Sequence, residues 1–219
     1  MSRRRFLAAT ARLALAAPIL ALPIGALAAA SPTPRFDAEL SAFLARHVRW
    51  NAAGTATSVD YAGVRRDRAA LQRLQNDTSR VAMATFAAWP EPARQGFLVN
   101  AYNVWTLALI ADAPPETASI KDLGSLLRSP WKHAFIPFLG ETRSLDDIEH
   151  GLLRGAEDFD EPRIHFAVNC ASIGCPALRP EAYAGDRLTA QLDDQTRRFL
   201  RDRTRNHWQA AAATLTLSK

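Results

Sequence analysis

Both cysteines of the chain fall in one eight-residue stretch, "NCASIGCP", where four residues separate Cys170 from Cys175 and a proline follows at once. Two thiols this close support four kinds of chemistry. A spacer containing Gly174 lets the two Cα atoms reach the ~5.5 Å that a disulfide needs, and so small a loop would stabilise the fold by about 2 kcal/mol. A reactive thiol needs a depressed pKa and usually a neighbouring imidazole. His150, beside Glu149, is the candidate base for Cys170, with Asn100 or Asn103 as orienter, a set with the makings of a cysteine hydrolase or acyl transferase. A redox couple would be looser than the usual two-residue spacing. Metal ligation by both thiols with His150 and His165 suits zinc in ligand type, but neither a Cys-x-x-Cys nor a His-x-x-x-His pattern is present. No metal and no cofactor is therefore expected.

The elements that must position these groups are legible in the hydrophobic pattern. "DEPRIHFAVN" alternates Ile164, Phe166 and Val168 with Arg163, His165, Ala167 and Asn169, which predicts a half-polar strand over 163–169 with the cysteines in a loop at its exit. On that reading His165 lies about 16 Å from Cys170, at ~3.3 Å per extended residue, while Cys175 could fold back toward it. Arg163 is expected to pair with Glu149 or to bind an anionic ligand. Asn169 and Cys175 complete the polar lining. "ARQGFLVNAYNVWTLALIAD" is apolar on every side and reads as a buried helix, yet Asn100 and Asn103 share one face of it. Buried amides must find partners, either by tying down neighbouring loops or by walling a polar site. Trp105 and Trp131 read as core, with a ligand groove as the alternative.

Elsewhere, an amphipathic helix is expected over 36–50, two more near 63–75 and 80–88, and a last one over 186–204. A short helix at "SIKDL" leads to an apolar strand over 135–139 with Gly140 at its turn. In "SLDDIEHGLLRG", Ser144 and Asp147 resemble a capping box and Gly155 suits the stop. Glu149 lies near that helix's apolar stripe, where a carboxylate needs a cation or several donors, unless Glu149 and His150 form only a helix-end ion pair. "ATLTLSK" reads as a strand.

The chain opens "MSRRRFLAATARLALAAPILALPIGALAAASP", a basic start followed by a weakly apolar stretch and small residues. This predicts an export leader over 1–30, of twin-arginine type through Arg3, Arg4, Arg5 and Phe6, rather than an uncleaved anchor. The expected destination is the periplasm or the outside, with the membrane met only in transit. Removing the leader deletes Arg3, Arg4, Arg5 and Arg12 and no acid, so the formal charge falls from +5 to +1. A nearly neutral remainder argues against a nucleic-acid surface. The arginine cluster at 197, 198, 201, 203 and 205 alternates with acids and amides, as a solvated helix face does. A passenger of that export route folds in a reducing cytosol, so the fold should form without a bridge.

Taken together, "VNAYNVWTLALI", "SIKDL", Trp131, "SLDDIEHGLLR", "DEPRIHFAVNCASIGCPAL" and "LDDQTRRFL" resemble the family called domain of unknown function 547, over residues 58–219. Residues 31–57 then form an N-terminal helix and linker. The resemblance implies a bacterial exported protein and supplies little chemistry, beyond the joining of the domain to a glutaredoxin-like domain in some eukaryotic members. Relatives continue past the segment matching "LTLSK" with an aromatic, acidic stretch, so a C-terminal truncation is expected. The fold expected is a single α+β domain, predominantly helical, with a small β-sheet. Two functions stay open: a cysteine-dependent enzyme, or a non-enzymatic module of the cell envelope, with a bridged loop, that binds a small molecule or an envelope protein.

Overall fold

The apolar stretch with the two asparagines is the axis around which the chain is built. In a computed structural model that describes residues 33–117, 119–124, 129–155, 159–172 and 174–218, it forms α5 (Glu91–Asp112), and Phe97, Leu98, Val99, Tyr102, Val104 and Trp105 are all buried. A helix buried on every side needs neighbours all round. They are α2 (Tyr61–Arg66), α3 (Arg68–Ser79), α6 (Leu188–Arg201) and a π-helical segment, Asp147–Leu153. Ala113 is extended and Pro114 follows, which ends α5. Its open carbonyls are met by Arg65, which donates to Ile110 at 3.2 Å and Ala111 at 3.3 Å.

The amphipathic helix expected over 36–50 stops earlier, as α1 (Pro34–His47), and the chain turns extended into β1 (Val48–Trp50). β1 pairs antiparallel with β2 (Thr57–Val59). The helix expected over 63–75 is two helices, α2 and α3, because the chain bends at Asp67 between them. Asp60 caps α2 by accepting from the Gly63 amide at 2.8 Å. The helix expected near 80–88 is the short α4 (Met83–Ala87). β3 (Ile136–Phe138) and β4 (Glu141–Arg143) form a hairpin over Leu139 and Gly140, both at positive φ. β5 (His207–Gln209) pairs with β6 (Thr214–Thr216), whose strand was expected. The architecture is thus α+β and mostly helical, with three two-stranded sheets among the described residues. No described helix is long and apolar enough to cross a membrane. The expected leader, residues 1–30, lies outside the described residues.

One expected element is absent. Residues 163–169 are not a strand: Pro162–Phe166 is a 3₁₀ helix. Alternation of apolar residues fits a short 3₁₀ turn as well as a strand, and the local chemistry chooses the turn. Pro162 fixes φ at the first helical position, and Glu161 accepts from both the Arg163 amide and its guanidinium. The distance argument that set His165 ~16 Å from Cys170 assumed an extended strand and lapses with it.

Candidate functional site

The candidate site starts with α5. Asn100, 2% exposed, donates to the Tyr183 carbonyl at 2.8 Å and accepts from the Tyr183 amide at 2.9 Å. Asn103 does the same one turn on, donating to the Ala167 carbonyl at 3.0 Å and accepting from the Asn169 amide at 2.9 Å. Both side chains act as surrogate strand partners for loops that pass over the helix, so their polar atoms are satisfied by backbone. Asn169 in turn donates to the Pro176 carbonyl at 2.7 Å and accepts from the Ala171 amide at 3.0 Å. The two amides of the buried helix therefore position the 167–178 segment and tie down the 183 loop.

Within that segment Cys170 and Cys175 are joined by a disulfide, with Cα atoms 6.1 Å apart. Ala171 sits at φ +56°, where a non-glycine residue is uncommon, and this bend turns the chain back on itself. The Ser172 hydroxyl lies 3.4 Å from each sulfur. The loop is further tethered to the C-terminal hairpin: Arg205 donates to the Cys175 carbonyl, and the Ser218 hydroxyl to the Gly174 carbonyl at 3.0 Å. Arg205, expected on a solvated helix face, lies beyond the end of α6, half-buried and 3.3 Å from Asp202.

The bridged loop forms one wall of an open cleft of about 300 Å³. Thr57, Val59 and Tyr61 form the facing wall, and Asn169, Ser172 and Cys175 lie among the residues on the loop side. Tyr61 is half-buried, and that burial raises its phenol above the ordinary value. A second cavity of about 260 Å³ shares Tyr61 and Ala171 with the first and reaches Arg65 and Ser119. None of the 57–61 side chains drew attention in the sequence. The only signal was local: a turn-rich stretch ending in "VDY", with Asp60 in capping position.

The remaining predicted residues sit in a separate neighbourhood, on the π-helical segment and the 3₁₀ turn. Ser144 and Asp147 form the expected capping pair: the Asp147 carboxylate accepts from the Ser144 amide at 2.8 Å and its hydroxyl at 2.7 Å. Those bonds hold the Asp147 carboxyl below its usual range. The Glu149 carboxylate meets the Tyr102 hydroxyl; burial first, then this neighbouring charge, push that phenol far up. His150 accepts from Arg154 on its Nδ1 at 2.9 Å, and its Nε2 lies 3.7 Å from the Asp146 carboxylate, beyond hydrogen-bond reach. Burial, then the Arg154 charge, hold the His165 imidazole below its ordinary value. Arg163 does pair with carboxylates, but with Glu161 and Asp193 rather than Glu149. Trp105 is core, its indole donating to Thr78 at 3.0 Å, and Trp131 packs half-buried against the same core. Among the described residues no three His, Cys, Asp or Glu side chains converge as a metal would need.

A family model described as a protein of unknown function, DUF547, matches residues 86–200, which include α5, the π-helical segment, the cysteine loop and most of α6. No curated protein and no solved structure matches the chain.

Proposed function

The chain belongs to the DUF547 family, and from that premise we propose that it is a non-enzymatic binding module of the cell envelope. In this reading the Cys170–Cys175 bridge shapes one wall of a ligand cleft. The observation that carries it is the bridge itself, placed on the rim of a cleft and anchored by Asn103, Asn169, Arg205 and Ser218. A loop fixed at this many points presents a preformed surface, which lowers the ordering cost of binding. Envelope location rests on the leader-like segment at 1–30, whose twin-arginine pattern directs a folded passenger outward. The bridge then belongs to an oxidising compartment.

The competing reading is a cysteine-dependent hydrolase or acyl transferase, with Cys170 as nucleophile and His150 as base. It requires an open bridge, and it requires His150 to turn from Arg154 toward Cys170. A thiol–disulfide couple is favoured by one observation, that Cys175 lines the open cleft where a small thiol can reach it. Mass-spectrometric thiol counting on protein recovered from the periplasm separates the two bridged readings from the enzyme, and the pair's reduction potential then separates a structural bridge from a redox couple. The expected result is no alkylation before reduction and two alkylated cysteines after it. One or two free thiols reacting well below pH 8 would overturn the binding-module reading in favour of the enzyme.

A further inference from the structure

The facing wall of the cleft is the outer edge of β2, and the register shows which backbone groups it offers. In an antiparallel pair, hydrogen-bonded and non-hydrogen-bonded residue pairs alternate. Asn51 donates to the Ala56 carbonyl at 2.8 Å and Asp60 to the His47 carbonyl at 2.8 Å. With Val48 opposite Val59 and Trp50 opposite Thr57, the bonded pairs are therefore 47 with 60, 49 with 58 and 51 with 56. The amide and carbonyl groups of Thr57 and Val59 consequently point away from β1, and among the described residues they meet no partner. Thr57 and Val59 line the cleft while Ser58, Val48 and Trp50 do not. Paired residues share a sheet face, so a cleft over that face would also touch Val48 and Trp50; this one lies along β2's free edge.

Two donor–acceptor sets two residues apart repeat at about 6.6 Å, the interval at which the backbone of another strand presents its own groups. We propose that the cleft binds an extended peptide segment, which adds as a third strand to the free edge of β2 opposite the bridged loop. The proposal rests on the reading of this cleft as a ligand site and names the ligand class. The path continues in the chain direction of β2: Tyr61 follows the strand and joins the second cavity, which Arg65, Thr117 and Ser119 border. The peptide's outer backbone edge faces the cysteine loop, where Asn169 and Ser172 stand with Ala177 and Leu178.

The test uses proline, which deletes an amide without touching the ladder when that amide faces outward on an edge strand. Random dodecapeptides displayed on phage are selected against the oxidised wild-type protein, and enriched sequences are synthesised and titrated by fluorescence anisotropy. The expected result is enrichment of peptides that lose at least tenfold in affinity on Thr57→Pro and on Val59→Pro. Ser58→Ala, at a position that does not line the cleft and whose backbone groups pair with β1, should hold affinity within about threefold. If either proline variant fails to fold, N-methylation of successive peptide amides is read on the wild type, and loss at every second position is expected. No enrichment, equal binding by the proline variants, or an N-methylation scan without the two-residue period would overturn the proposal. None of these outcomes depends on the thiol count, so a failure of the peptide and a failure of the bridged module are told apart.

Discussion

At the scale of single residues, the asparagines of α5 show how a side chain type is legible while its task is not. That two amides on a wholly apolar helix must be partnered follows from the sequence, because an unmet buried amide costs roughly 1–3 kcal/mol. Which atoms they meet depends on loops 64 and 83 residues away along the chain, and no local pattern encodes that pairing. Each asparagine satisfies one backbone donor and one acceptor that would otherwise be buried and bare. Asn100→Ala and Asn103→Ala should therefore each lower unfolding stability by about 2–3 kcal/mol in urea titrations, Asn100→Ala without releasing the cysteine loop. A catalytic orienter would instead leave stability unchanged. Asp147 carries a pH dependence of a known sign. Its carboxyl is held below the ordinary range by the Ser144 amide and hydroxyl. Its contribution is complete above the unfolded carboxylate pKa near ~3.9 and is lost as pH falls through the lower folded value. Asp147→Asn should flatten the stability curve below about pH 4 and leave its neutral-pH dependence unaltered, as read by denaturation at fixed pH values.

At the scale of elements, long periodic segments were readable and short polar ones were not. α5, α6, the β3–β4 hairpin and the β6 strand follow from pattern and turn chemistry. The 3₁₀ turn over Pro162–Phe166 does not, because five residues are too few to separate a period of two from a period of three. The helix expected in "SLDDIEHGLLRG" is present, but it winds as a π-helix over Asp147–Leu153, and its wider turn shifts which side chains share a face. The cleft edge at β2 is shorter still, three residues whose importance lies in backbone groups that every residue type carries. Glycine gives a sharper handle on packing between elements. Gly185 lets the loop over α5 come so close that an added Cβ would stand 3.0 Å from the Ala93 Cα and backbone nitrogen. Backbone cannot rotate away as a side chain can, so Gly185→Ala must shift the loop from the helix by a few tenths of an ångström. It should lower stability by about 1–3 kcal/mol, and hydrogen exchange should report faster opening at Tyr183 than at β3.

At the scale of the whole molecule, the question is whether the bridge makes the fold or only finishes the site. The hydrophobic core spans α1, α3, α5, the β3–β4 hairpin and the π-helical segment without needing either sulfur. The cysteine loop has noncovalent anchors of its own at Asn103, Asn169, Arg205 and Ser218. A cross-link between residues five apart removes little chain entropy from the unfolded state, about 2 kcal/mol on the chain-entropy relation. Replacing both cysteines, as Cys170→Ala with Cys175→Ala, should therefore leave a folded protein whose thermal midpoint falls by roughly 4–8 °C, given ~2–4 °C per kcal/mol at this size. Amide exchange should quicken over residues 169–178 and stay unchanged in α5. Reduced wild type should match the double variant in both readouts, as the twin-arginine reading also demands, since such a passenger must fold before it reaches an oxidising compartment. Global unfolding of the double variant would instead make the bridge a condition of folding, which contradicts the proposal that the chain is a twin-arginine passenger.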